Sequence, residues 1–191
     1  MIKGEKTVMD ETTFAIMTQV VGYIGLLFGI ITFQCKKHKN VMLTKTANEL
    51  IFAVQYAMLG AYTGMAMNII GSLRNLIFAA QVEKGKSTWP MRVVFGLFFA
   101  VFGLLTWQGP LSLAVIGAKV VTTVAYGMKN TRVIRFLTLP TTICWLIYNY
   151  ISNSSAGVIC EVFTLISIVI AIIRIELIEP RLQKRSEKEK V

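Results

Sequence analysis

From Phe14 to Ile175 the chain alternates long apolar runs with short breaks that are either basic or bare of charge. The clearest run is Met91 to Gln108 (MRVVFGLFFAVFGLLTWQ), which holds no charge after Arg92. As a helix rising about 1.5 Å per residue, it just covers a hydrocarbon core of roughly 30 Å. Three apolar segments precede it and three follow. The pattern predicts helices over about Phe14 to Cys35, Thr46 to Tyr62, Met65 to Val82, Met91 to Gln108, Leu111 to Gly127, Val133 to Ile151 and Val158 to Ile175.

The breaks orient these spans. Lys36, Lys37, Lys39 and Lys45 follow helix one, Lys84, Lys86 and Arg92 follow helix three, and Lys129, Arg132 and Arg135 follow helix five. The turns at Thr63-Gly64, Gly109-Pro110 and Ser152 to Gly157 carry no charge. Basic loops stay in the cytoplasm, so seven spans with the N-terminus outside and the charged tail inside satisfy every break; six or eight would not. Trp89 and Trp107 fit the interfacial aromatic belts of the central helix.

Composition supports this picture. Of 191 residues 54% are hydrophobic, which points to a polytopic membrane protein. A net charge of +10 would suit nucleic acid, but the basic residues sit in clusters between apolar runs and read as topology signals, so no nucleic acid partner is expected. Lys3 and Lys6 before an apolar stretch resemble a signal peptide. Asp10 and Glu11 intervene, however, the run to Cys35 is too long, and no small-residue cleavage site follows, so this is read as the first helix. Cys35, Cys144 and Cys160 lie within or beside apolar segments and suggest neither a disulfide framework nor a metal site.

The triplets on either side of the central run repeat each other. Ile24-Gly25 matches Ile116-Gly117, and Lys37, Val41 and Tyr56 match Lys129, Val133 and Tyr148, all at an offset of 92; after a one-residue slip Gly64 meets Gly157 and Asn68 meets Glu161. A three-helix unit ends on the side opposite its start, so a second unit in the same orientation needs one extra crossing, which Met91 to Gln108 supplies. The expected fold is an all-α membrane protein of seven transmembrane helices, two parallel three-helix bundles joined by a linker helix. Residues 13–82 form the first repeat, 83–108 a cytoplasmic loop and the linker, 109–175 the second repeat, and 176–191 a charged cytoplasmic tail.

No HExxH, paired CxxC, Walker loop, GxSxG or GxGxxG occurs in an apt context, so no enzyme, metal or cofactor is expected. His38, in a lysine-rich loop, reads as a solvated residue. The informative positions are polar residues within spans, which must be paired or wetted. Helix three carries Gly64, Asn68, Gly71, Ser72 and Asn75 on one side, helix seven Gly157, Glu161 and Thr164, helix five Ser112, Lys119, Thr122, Thr123 and Tyr126, and helix two Asn48, Gln55 and Tyr62. Such faces either glue the bundle through interhelical hydrogen bonds or line a water-filled cavity. Among the charges, Lys119 is expected to pair with Glu161, Glu49 to snorkel or pair with Lys45, and Arg74 to lie off the Asn68 face. Trp145 serves either the aromatic belt or a stacking surface, and Pro140 inside helix six provides a hinge.

The stretches GYIGLLFGIITF, AVQYAMLGAYTGMAMNIIGSLRNLI, LAVIGAKVVTTVAY, TTICWLIYN and SAGVICEVFTLISIVIAIIR, spanning Gly22 to Arg174, resemble the YgjV-like bacterial inner-membrane proteins. That family is similar in layout to SWEET and PQ-loop transporters, whose repeats are related by an axis along the membrane normal; this implies alternating access by rocking of two triple-helix bundles. In such carriers an asparagine on the third helix of each repeat faces substrate. Asn68 matches it, and Glu161 stands at the second. Helix one lacks their Pro-Gln pair, having Ile31-Thr32-Phe33-Gln34, and of their gating prolines Pro140 has the one counterpart.

These readings converge on a multi-pass transporter of a small polar solute, sugar-like by resemblance, in the bacterial inner membrane. Asn68, Ser72, Asn75, Lys119, Trp145, Asn149 and Glu161 are the candidate binding residues. Asn68 and Asn149 would hydrogen-bond solute, Trp145 would stack, and Lys119 with Glu161 would form an ion pair that protonation or solute binding releases. The alternative is a non-transporting scaffold or receptor-like protein. Partners are the lipid bilayer and the solute, with a homo-oligomer left open.

Overall fold

Helices occupy every apolar run. The computed structural model describes residues 2–34, 38–127 and 131–173, in which α1 (Ile2–Gln34), α2 (His38–Met58), α3 (Tyr62–Glu83), α4 (Trp89–Leu105), α5 (Pro110–Tyr126), α6 (Thr131–Ile151) and α7 (Ser155–Ile172) are the regular elements, with no strand among the described residues. Cys35, Lys36, Lys37, Lys129 and the charged tail lie outside them.

Three boundaries differ from the sequence reading for identifiable reasons. The first hairpin turns at Leu59-Gly60 rather than at Thr63-Gly64, because Gly60 adopts φ +68°, a left-handed conformation that glycine enters without a Cβ penalty. Helix two begins at His38 rather than Thr46, since the polar stretch from His38 to Lys45 holds no glycine or proline to stop a helix where the apolar run ends. Helix seven begins at Ser155, where the Ser154 hydroxyl accepts from the Gly157 N–H and caps the first turn. Its turn passes through Asn153 at φ +57°. Proline opens α5 at its first position, and α6 continues through Pro140, which lies exposed on its outer side.

The helices pack as a closed ring. Each of α1, α2 and α3 lies against its chain neighbour, as do α5, α6 and α7; α3 meets α5, α7 meets α1, and α4 packs against α3 and α5. Both seams run parallel: Thr63 touches Ser112 and Arg74 touches Thr123 along α3 and α5, while Gln19 reaches Ser155 and Gly29 approaches Cys160 along α1 and α7. Aromatic rings fill the centre, with Tyr56 stacked on Trp145 at 6.2 Å and edge-on to Tyr148 at 5.7 Å. Phe78, Phe95 and Phe99 fill the contact with α4.

Polarity is inverted relative to a water-soluble fold. Leu27, Leu97, Leu104, Leu105 and Ile170 are more than half exposed, whereas Glu49, Gln55, Arg74, Asn75, Lys119 and Asn149 are buried. Among the described residues one helix segment, Asp10–Thr32, is both long and apolar enough to cross a membrane by those two measures; α4, α5, the Phe136–Ile151 part of α6 and the Ser155–Ile170 part of α7 are apolar but shorter. At 21 and 22 residues α2 and α3 would each reach just over about 30 Å, and what lowers their hydropathy is the polar side each turns inward.

Candidate functional site

The helices surround a cavity of about 1370 Å³, whose wall combines polar side chains with apolar ones such as Met42, Phe52, Trp145 and Ile168. Its wall follows helical periodicity. On α2, Lys45, Asn48, Glu49, Phe52 and Tyr56 recur every three or four residues; on α5, Lys119, Thr122 and Tyr126 do so, and on α7, Gly157, Glu161, Thr164 and Ile168. Thr138, Thr141, Trp145 and Asn149 come from α6, Asn68 from α3, and Gly29 and Thr32 from α1.

One end of the cavity is closed by hydrogen bonds at both seams. At α1/α7, the Gln19 side chain accepts from the Ser155 hydroxyl (2.7 Å) and donates to the Asn153 carbonyl (2.8 Å). Gln55, fully buried, accepts from the Ser154 hydroxyl (2.8 Å), and Gly22 on α1 leaves it the room. At α3/α5, the Thr63 and Ser112 hydroxyls meet at 3.0 Å, Thr63 donates to the Thr106 carbonyl, and the Gln108 amide donates to the Gly60 carbonyl at 2.8 Å. Across the middle, the Tyr56 hydroxyl donates to the Asn149 side-chain carbonyl (2.5 Å), and the Tyr148 oxygen accepts from the Gly64 N–H (2.8 Å).

At the other end the wall continues out to Val41, Gly85, Lys86, Ser87 and Arg92. This is the basic end of the molecule. There Arg92 donates to the Gly127 carbonyl and to the Thr88 hydroxyl (2.9 Å), capping the C-terminus of α5 with positive charge. Lys39 pairs with Glu83 at 3.2 Å in the open, a contact worth at most about 1 kcal/mol.

Between the two ends lies a buried ion cluster. Glu49 Oε1 accepts from Lys119 Nζ (3.0 Å) and Arg74 Nη2 (3.5 Å). Arg74 has no exposed surface; it also donates to Thr123 Oγ1 (2.9 Å) and Asn75 Oδ1 (3.0 Å), with its guanidinium 5.1 Å from the Tyr126 ring. Lys119 stands 5.2 Å over the Trp145 ring. Gly71 makes the cluster possible, because a Cβ there would take the space of the Glu49 carboxylate. Glu49 Oε2 and Asn75 Nδ2 are buried without a hydrogen-bond partner among the described residues.

The candidate residues thus divide. Asn68, Lys119, Trp145, Asn149 and Glu161 share the cavity wall. Ser72 and Asn75 do not: Ser72 donates to the Ile69 carbonyl (2.7 Å) and Asn75 positions Arg74. The expected pair of Lys119 with Glu161 is replaced by Lys119 with Glu49, because the ammonium points across the ring to α2. Glu49 therefore neither snorkels nor pairs with Lys45. Glu161 lines the cavity and has no ion pair among the described residues; the cations whose fields reach it are Lys45 and Lys119. Arg74 lies behind the wall, as its position off the Asn68 face implied, but joins the cluster. Of the closed end, Gln55 and Ser112 were among the polar faces read from the sequence, whereas Gln19, Gln108 and Ser154 were not. No group of three or more potential His, Cys, Asp or Glu metal ligands occurs among the described residues.

Comparison with known proteins gives the chain its relatives. The Imp-YgjV model, described as bacterial inner membrane protein, matches residues 16–178. The relative titled Inner membrane protein YgjV, from Escherichia coli (strain K12), is 27% identical over 145 residues, which is 76% of each chain. No solved structure matches. The chain belongs to the Imp-YgjV family of bacterial inner membrane proteins.

Proposed function

We propose that this inner-membrane protein is a multi-pass carrier of a small polar solute, working by alternating access between two three-helix units, α1 to α3 and α5 to α7, joined by α4. The observation that carries the reading is the cavity with Lys45, Asn48, Glu49, Asn68, Lys119, Asn149 and Glu161 on its wall, which is closed by hydrogen bonds at one end and among the described residues continues out to the basic end at the other. Helices that only glue to one another would bring their polar groups into contact and leave no such space. The two-unit arrangement is supported by the contacts: exchanging α1, α2 and α3 for α5, α6 and α7 leaves the ring of neighbours unchanged. The basic end is assigned to the cytoplasm, which puts the N-terminus outside and the chain after α7 inside.

In this scheme the protein stands open to the cytoplasm. Asn68 and Asn149 offer amides to the solute, the Trp145 ring a stacking surface, and the seals at α1/α7 and α3/α5 part when the units rock, with Pro140 easing the bend of α6. The test is two-sided access. In a background with Cys35, Cys144 and Cys160 replaced by Ser, Asn68→Cys should react quickly with a membrane-impermeant thiol reagent in inside-out vesicles. In right-side-out vesicles it should react slowly, and Gln55→Ala, by removing a seal bond, should speed that reaction roughly tenfold. Reaction from one side alone, unaltered by Gln55→Ala, would return the chain to the scaffold reading.

A further inference from the structure

We infer that the solute is a small organic anion, held by a carboxylate or phosphate group, with Lys119 and Lys45 as its counter-ions; this rests on the carrier reading. The inference begins from a charge imbalance. Lys45 and Lys119 stand on the cavity wall with Arg74 behind it, and Lys86 and Arg92 add two more cations at the mouth. Retention of basic residues in the cytoplasm accounts for Lys86 and Arg92, and Lys45 belongs to the same basic end. It does not account for Arg74 and Lys119, which are 0% and 5% exposed, lie deeper in the bundle and share the single carboxylate of Glu49, an excess of one cation at the cluster. Inside a membrane such an excess costs free energy unless an anion offsets it.

The way Glu49 is held shows where that anion fits. One oxygen serves both Lys119 and Arg74, while the other is buried with no partner among the described residues. A carboxylate used through a single atom is a poor match for two cations. An incoming oxyanion that engages Lys119 with more of its oxygens can displace it, leaving Glu49 on Arg74. Glu49 thus occupies the place of the ligand's charged group. Lys45 comes from the same wall one helical turn away, with its ammonium 5.1 Å over the Tyr126 ring and no ion pair among the described residues. Asn68 lies on the wall with its amide unbonded among the described residues, free for the uncharged part of the solute. Glu161 on the opposite helix repels a second negative charge there, which favours a solute with its charge at one end.

The test uses the purified full-length chain in detergent, with thermal unfolding followed at ionic strength held constant by sodium chloride. Probes are sodium gluconate, glucose 6-phosphate, glucose and putrescine. Glucose 6-phosphate, gluconate or both should raise Tm saturably, and glucose and putrescine should not; which anion acts separates phosphate from carboxylate recognition. Glu49→Gln removes the internal competitor and should lower the half-saturating concentration roughly tenfold, whereas Lys119→Gln should raise it roughly tenfold. Lys45→Gln, which breaks no ion pair among the described residues, should weaken binding in the same sense and guards against unfolding of the other two. A shift by glucose or putrescine equal to that of the anions, no shift with any probe, or anion shifts unchanged in the variants would overturn the inference. The vesicle labelling is independent: two-sided access without an anion effect leaves a carrier of another solute, and an anion effect without two-sided access leaves an anion-binding protein that does not transport.

Discussion

Glu49 balances two cations, and truncating it leaves both of them buried without a counter-charge. Glu49→Ala should therefore cost about 3–5 kcal/mol and markedly lower the Tm of the purified protein, while Glu161→Gln, at a carboxylate in no ion pair among the described residues, should leave it nearly unchanged. Equal losses from the two substitutions would show that Glu161 has a partner of comparable weight. The residue scale was the least legible in the sequence. That Lys119 needed a carboxylate followed from its place in an apolar helix; which carboxylate did not, since Glu49 and Glu161 both lie within a long side chain's reach of it in a ring of unknown order. Asn68 could be placed toward the interior from spacing, whereas Trp145 was left between the aromatic belt and a stacking surface until the cavity wall placed it. Ser72 and Asn75 could not be separated from Asn68, because all three share the same side of α3 and only the packed structure shows Ser72 turned to the Ile69 carbonyl and Asn75 to Arg74.

At the scale of the element, two glycines with empty surroundings make a clean contrast. A Cβ at Gly60 or at Gly96 would touch nothing within 4 Å, but Gly60 has φ +68° in the turn between α2 and α3, and Gly96 lies in the middle of α4. Gly60→Ala should lower Tm by an amount corresponding to about 1 kcal/mol, and Gly96→Ala should raise it by a comparable or smaller one, with both read by thermal unfolding in detergent. The existence and order of the helices were legible because apolar runs of this length leave few alternatives. Their ends were not, since hydropathy marks where a helix leaves lipid rather than where it stops: α2 continues back through Lys39 and Lys45, and the hairpin ends at Gly60, whose left-handed geometry no polarity pattern reveals.

For the whole molecule, the alternation of basic and bare breaks predicts sidedness. With the native cysteines replaced by Ser, Asn153→Cys should be labelled from outside intact cells and Lys86→Cys should not. The reverse pattern would end the proposed topology. Asn153 is the apt probe of that turn because it is exposed, whereas Ser154 beside it is buried by its bond to Gln55. The proposed internal repeat rests on a register of weak matches, each ambiguous alone, and the two seams of the ring make like contacts. The cavity was not legible, since it depends on how far apart the polar sides stand. The parallel run of the seams carries one more consequence. Along α3/α5 the chain crosses from the basic end back to the other through α4, whereas along α1/α7 no described helix makes the return journey and the ring closes there by contact. A circular permutant opened in the loop before α4 would have to join the end of α7 to the start of α1 from opposite ends of the bundle. In the proposed membrane topology no flexible tether could do so; only a second copy of something like α4 would.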